Sequence, residues 1–514
     1  MCGISGSNAK DRVKWVQSAI KHQEMRGPDS NHYISSDNGW CFGHNRLSII
    51  DLSENSNQPL EDWKGYMLTY NGEIYNYKDF FGHNSDTLTL WRLLLGYGIK
   101  DTLQKLNGMF AFAFYCRTGN LYLAVDRFGQ KPLYYYHEGS DFYFASTPAA
   151  LYAIKDKWDL DRDALQSYWL LGSVMGSDGL FKGIKKLCAS EMLTYDGTNV
   201  KVERYWEPKF QEKTDIEGMV LDAIRKVKVS DVPIHIFLSG GIDSTLVASQ
   251  FEGGNAIHLD GPERHYAQVV AKKYNIDLKV INPLSIDTEV ALKDYSFKCG
   301  EPTMSGIIPW IVAREASKFG KVAISANGAD ELFFGYNRTH DNVTNGQINH
   351  IFRDVNRFTL QNHIIEYLTP NINTGRKMEL MTYVQFDLNK TLDFASMCHG
   401  LEVRNPFLDH RLVEQVLSIP ESVHRAKGNK TLLKEILWRE GFDMHFTERP
   451  KQGFSLFMKP NNLESCISLA WDWVQKEGYL NLEGKVLSGR DEEYLKMSAL
   501  GFYYWYKVWK HKMN

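Results

Sequence analysis

Along the first two hundred residues the apolar positions alternate. In residues 109–115 the large side chains Phe110, Phe112 and Phe114 are separated by the small Ala111 and Ala113, the period of a strand with one bulky face. Residues 117–120 then predict a turn into a strand at Leu121–Val125, and 133–137 and 142–145 flank a turn at 138–141. This half reads as stacked antiparallel sheet. Past Tyr205-Trp206-Glu207-Pro208 the texture changes: 216–227 has helical spacing, 234–238 is a short apolar strand and 244–251 is again helical. Strand, glycine turn and helix in succession predict an α/β unit. The boundary falls near residue 210, giving units at 1–209 and 210–514. Beyond about residue 340 helical patterns dominate. Phe502, Trp505, Tyr506 and Trp509 share one helix face, with Lys507, Lys510 and Lys512 around it, which predicts a helix packed on the chain's own core.

Composition narrows the function classes. The 514 residues, 43% of them hydrophobic, suffice for ordinary packed cores. Acidic and basic residues nearly cancel, 62 against 59, with no long basic run, so nucleic acid is not an expected partner. No apolar stretch approaches the roughly 18–20 residues that span a bilayer, and residues 1–10 lack the order of a secretion signal. A cytoplasmic protein without a membrane partner is expected. The seven cysteines are odd in number and scattered, which predicts neither a disulfide framework nor a structural zinc.

Two features carry chemistry. The chain starts Met1-Cys2-Gly3, so removal of the initiator would leave a cysteine bearing both a thiol and a free α-amine. With reference pKa values of about 8.5 and about 7.7–8.0, the amine can serve as base for its own thiol. The second is Phe237-Leu238-Ser239-Gly240-Gly241-Ile242-Asp243-Ser244, placed between the apolar strand and a helix. Its glycines let backbone approach phosphate oxygens, its serines add hydroxyl donors, and Asp243 is placed to hold a divalent cation. It is not the GxxxxGK[ST] phosphate loop.

SGGIDS at 239–244 is similar to the pyrophosphate loop of enzymes that split ATP into AMP and pyrophosphate. Together with Cys2, the chain resembles the glutamine-hydrolysing asparagine synthetases over most of its length. The resemblance is carried by the blocks RGPDS (26–30), HNRLSIID (44–51), YNGEIYN (70–76), DRFG (126–129), GADELF (328–333), LEVRNPFLD (401–409) and RPKQGF (449–454). It implies an α+β, Ntn-hydrolase-like class II glutaminase of antiparallel sheets with flanking helices at 1–209. An α/β PP-loop ATP pyrophosphatase domain with a largely helical C-terminal part would follow at 210–514.

The resemblance also assigns roles. Cys2 would attack the glutamine amide, with Asn71 and the Gly72 N–H stabilising the oxyanion. Arg46 would take the substrate's α-carboxylate and Asp86 its α-ammonium, with Glu73 supporting the pocket. Leu238, Ile257, Ser325 and Ala326 would line the adenosine site, Ser239, Gly240, Gly241 and Ser244 the phosphates. Asp243 and Asp330 would hold Mg²⁺, and Lys451 would reach the phosphates and the acyl-adenylate. Glu402 and Arg404 are expected to be a structural pair. The implied substrates are glutamine, ATP and aspartate, converted through ammonia transfer and a β-aspartyl-AMP. The oligomeric state stays open, a homodimer included.

Three departures fall within the match. Ala326 and Asn327 stand where the family has Gly and Glu, residues 301–309 are one residue short and lack the usual Asp, and Leu88 replaces a common acidic residue. Two of these lie on the acceptor side, which opens a second reading: the same chemistry on another carboxylate, such as a uronic sugar or peptide acid.

Overall fold

The computed structural model describes residues 2–82, 84–209, 215–282, 287–337, 339–340, 375–449, 462–480 and 489–514. The alternating half builds two six-stranded antiparallel sheets. One runs in the order Ile184–Lys186, Tyr134–Glu138, Asp141–Ala145, Gly3–Ser7, Cys41–Arg46, Ser30–Ser35. The other runs Val200–Arg204, Glu191–Tyr195, Leu121–Val125, Gly108–Tyr115, Met67–Ile74, Leu60–Glu61.

Side-chain size sets the layering. On Gly108–Tyr115 the small Ala111 and Ala113 lie against Ile4, Phe42 and Phe144 of the first sheet, so the two sheets approach closely. The bulky Phe110, Phe112 and Phe114 cluster instead with Leu90, Leu93 and Leu94 of the helix Asp86–Lys105. The outer face of the first sheet is covered by Trp15, Val16 and Ala19 of Arg12–His22. Helix, sheet, sheet, helix is the α+β, Ntn-hydrolase-like sandwich that the sequence led us to expect.

The α/β part holds a five-stranded sheet, parallel throughout, in the order Asp277–Ile281, Asn255–Leu259, Ile234–Phe237, Val322–Ile324, Glu402–Arg404. Helices Ile216–Lys226, Ile242–Ala248 and Arg264–Lys273 contribute to its core through Val220, Leu246, Val247 and Val270. The helix expected at 244–251 lies earlier, at Ile242–Ala248, because Gly241 is its N-cap. The strand Glu402–Arg404 was not expected: its two charged residues are fully buried, so no apolar alternation marks it. The aromatic face of Gly489–Trp509 is core, as its spacing predicts. Phe502 and Trp505 are fully buried, and the Trp505 and Trp509 indoles donate to the Gly300 and Ser296 carbonyls at 2.6 and 2.8 Å.

All seven cysteines are free and buried, and no helix among the described residues is long and apolar enough to cross a membrane.

The turn that leads from the second sheet back to the first, between Leu121–Val125 and Tyr134–Glu138, is built on Asp126. This buried carboxylate accepts from the backbone N–H groups of Phe110, Phe128, Gln130 and Lys131 at 3.0–3.2 Å. Removing the acceptor leaves these donors buried without a partner. Asp126→Ala is therefore expected to lower unfolding stability by about 3 kcal/mol or more, read as a shift of the urea midpoint.

Candidate active site

The strand Gly3–Ser7 sets Cys2 at its start, beside Asn71 and Gly72 on the neighbouring sheet. The Cys2 backbone N–H donates to Asn71 Oδ1 at 2.8 Å. That bond fixes the amide so that its Nδ2 is left over, buried and without a hydrogen-bond partner among the described residues. A buried amide donor without a partner costs free energy unless a ligand takes it. Burial raises the Cys2 thiol pKa, with the Leu47 backbone N–H working the other way.

Gly72 has φ 146°, and a Cβ there would stand 2.1 Å from the Met109 carbonyl oxygen. Only glycine places its N–H beside Cys2 without moving the paired strand.

The residues that the resemblance assigns to glutamine lie together. Cys2, Arg46, Gly72, Glu73 and Asp86 line one cavity together with Ser56, Gln58 and Tyr70. Arg46 is held by a loop, its guanidinium donating to the Ser53 carbonyl at 2.7 Å, Asn57 Oδ1 at 2.8 Å and the Asp51 carbonyl. Asp86 accepts from Tyr70 Oη at 2.8 Å and the Ile74 and Thr87 N–H groups at 3.2 and 2.7 Å; burial nonetheless raises its pKa. The cavity is small, ≈ 30 Å³. Glu73 does more than line it. Its carboxylate meets the Arg404 guanidinium at 3.3 Å, while Arg404 also pairs with Glu402 at 2.6 Å.

A second and larger cavity, ≈ 730 Å³, opens at the C-terminal ends of the parallel strands, where such sheets bind ligands. Leu238, Ser239, Gly241, Asp243, Ser244, Ile257, Ser325, Ala326 and Asp330 all line it. Gly240 is not among its lining residues. With φ 87°, its absent Cβ would meet the Ala267 backbone nitrogen at 2.7 Å, so it shapes the loop from behind and packs on the helix Arg264–Lys273. Ser239 Oγ and Ser244 Oγ lie 2.9 Å apart, and the Gly241 N–H donates to Ser239 Oγ at 3.2 Å. Lys451 lies outside the described residues. Its neighbour Arg449 is described: it stacks over Tyr266 at 3.8 Å and donates to the Gly240 carbonyl.

Sequence reasoning passed over Lys430, whose ammonium lies 2.5 Å from both Asp243 and Asp330. A lysine in a polar loop carries no motif, and only the fold shows where it points. The two carboxylates are hard oxygen donors already arranged around a positive charge, so they fit Mg²⁺. No group of three or more ligating side chains occurs among the described residues.

The two cavities are physically linked. The Arg404 carbonyl accepts from the Ser325 N–H at 2.9 Å, so one residue supports the larger cavity with its backbone and the smaller with its side chain.

Comparison with known proteins agrees. Residues 1–206 match the glutamine amidotransferase domain and residues 215–483 match asparagine synthase. Glutamine-hydrolysing asparagine synthetase 3 of Bacillus subtilis is 29% identical, covering 94% of each chain. Putative glutamine-hydrolysing asparagine synthetase 2 of Methanocaldococcus jannaschii is 31% identical over 66% of this chain and 76% of its own. Glutamine-hydrolysing asparagine synthetase 1 of Bacillus subtilis is 28% identical over 88% and 87%. The chain belongs to the asparagine synthase family of glutamine-hydrolysing, ATP-dependent ligases.

Gly72→Ala keeps the backbone N–H, but its Cβ would force the paired strand to shift beside Cys2, and glutamine hydrolysis is expected to fall by ~10²-fold or more. Ammonia-dependent turnover, assayed on the same preparation, should stay near the parent rate.

Proposed function

We propose that the chain is an asparagine synthetase in which residues 1–209 release ammonia from glutamine and residues 210–514 activate aspartate with ATP. The observation that carries this reading is the Glu73–Arg404–Ser325 link, because it ties a cysteine pocket to a nucleotide-sized cavity through one buried side chain.

In the first pocket the buried thiol has a raised pKa, so it needs a base at close range. With Met1 removed, the Cys2 nitrogen is an α-amine, and Asn71 Oδ1 already fixes that nitrogen at 2.8 Å. The amine takes the thiol proton, the sulfur attacks the glutamine amide, and the leftover Asn71 Nδ2 with the Gly72 N–H receives the oxyanion. Arg46 and Asp86 orient the two charged ends of the substrate. Collapse of the tetrahedral intermediate breaks the C–N bond, the protonated α-amine gives its proton to the departing ammonia, and water then hydrolyses the thioester to glutamate and the free thiol.

In the second cavity Leu238, Ile257, Ser325 and Ala326 hold the adenosine, while Ser239, Gly241 and Ser244 face the phosphates. Asp243 and Asp330 would hold magnesium, which supplies charge neutralisation on the departing pyrophosphate. Lys451 would neutralise the α-phosphate as the β-carboxylate of aspartate attacks it. The resulting β-aspartyl-AMP is opened by unprotonated ammonia, giving asparagine and AMP. The cytoplasm, where ATP and both amino acids are abundant, is the fitting compartment.

Asn327 lines the same cavity without the charge of the family's glutamate, so the acceptor is the point to test first. Mass spectrometry of products from ATP, glutamine and a panel of acids should show asparagine with one AMP and one pyrophosphate per amide. An amide on another acid, with none on aspartate, would overturn the choice of acceptor. Cys2→Ala should lose glutamine-driven synthesis by more than ~10³-fold while ammonia still supports it. Equal use of glutamine by that variant would remove Cys2 from its role.

A further inference from the structure

Lys430 sits just before the helix Thr431–Arg439 in left-handed backbone, φ 60°, a conformation costly for a residue with a Cβ. Its side chain is 7% exposed, and its ammonium lies 2.5 Å from Asp243 Oδ2 and 2.5 Å from Asp330 Oδ1. The carboxylates come from separate segments, Asp243 from Ile242–Ala248 and Asp330 from Ala329–Leu332. The wall behind them leaves no slack: a Cβ at Gly335 would stand 1.9 Å from Asp330 Oδ1 and 2.5 Å from Lys430 Cε.

Two carboxylates brought together with little water repel each other unless a cation lies between them. Lys430 places a cation there. We propose that Lys430 is a positioning residue that stands in for magnesium, holding Asp243 and Asp330 close until a metal–nucleotide complex displaces it. This rests on the assignment of Asp243 and Asp330 as magnesium ligands. Ammonium and metal then compete for the same oxygens. Bare divalent cation must evict a buried lysine and leave its charge without a partner, whereas cation arriving with nucleotide brings phosphate oxygens to receive that charge. The device couples metal loading to nucleotide and keeps the empty site from trapping metal alone.

Manganese serves as the probe, with binding followed by the loss of its free-ion paramagnetic resonance signal in protein free of nucleotide. Lys430→Met and Lys430→Gln are expected to bind Mn²⁺ at least ~10-fold more tightly than the parent, and Lys430→Arg to match the parent. Both neutral variants should melt at a lower temperature than the parent in chelator and recover on adding Mg²⁺, to which the parent responds little. Adding Asp243→Asn to Lys430→Met should erase the gained affinity.

Neutral variants that fold yet bind Mn²⁺ no better than the parent would overturn the inference, as would variants that stay unfolded whatever the magnesium concentration. The underlying assignment fails separately. If parental binding of Mg²⁺ with a non-hydrolysable ATP analogue is unchanged by Asp243→Asn and Asp330→Asn, those carboxylates are not the ligands. If it depends on them while Lys430→Met gains nothing, only the role of Lys430 is lost.

Discussion

The molecule depends on a set of buried charges at the seam between the sandwich and the parallel sheet, several of which find partners across it. Arg404 is fully buried and divides its guanidinium among Glu402, Glu73 and the carbonyls of Val227 and Val229. Burial opposes its charge, but Glu402 and Glu73 raise its pKa above the ordinary value. Beside it, Arg26 pairs with Asp393 at 2.9 Å while its Nε donates to the Cys2 carbonyl at 3.1 Å. Lys390 meets Glu301 at 2.7 Å, and Tyr134 donates to the same carboxylate at 3.0 Å. Such pairs add little net stability compared with apolar packing, yet breaking one leaves a buried charge exposed to a cost of about 3–5 kcal/mol. They therefore act as a register. A shift of one half relative to the other would strand several charges together, so Cys2 and Ser325 are held at fixed positions by the same set of contacts.

What the sequence made legible follows from this division. Apolar alternation is local, and spacing alone marked the strands around Gly108–Tyr115 and the aromatic core face of Gly489–Trp509. The glycine-serine loop was legible for the same reason, since strand, turn and helix follow one another directly. Seam residues obey a different logic. Glu402 and Arg404 are charged, and their burial is made tolerable by Glu73, more than three hundred residues away in sequence. No window of neighbouring residues contains that compensation, so the strand Glu402–Arg404 was not visible and the pair could be read only as structural. Lys430 was hidden likewise: its two carboxylates come from other segments. Gly240 shows the converse, a motif residue whose place in the pattern did not reveal that it faces the packed side of its loop.

The two cavities also differ in how tightly their chemistry constrains them. In the cysteine pocket the required groups are few, and each is fixed by a bond of its own: Asn71 by the Cys2 N–H, Arg46 by its loop, Asp86 by Tyr70 and two N–H groups. The larger cavity mixes more kinds of group. Ser239, Gly241, Ser244 and the Asp243–Lys430–Asp330 group line it together with Asn327, whose N–H donates to Ser325 Oγ at 3.2 Å, and with Ser305, Tyr383 and Thr391. Asn327 offers an amide, with hydrogen-bonding groups and no charge, to whatever lies against it. Polar pockets discriminate by orders of magnitude because a mismatched ligand leaves buried groups without partners, so under the proposed reading the choice of acceptor rests on uncharged side chains such as these.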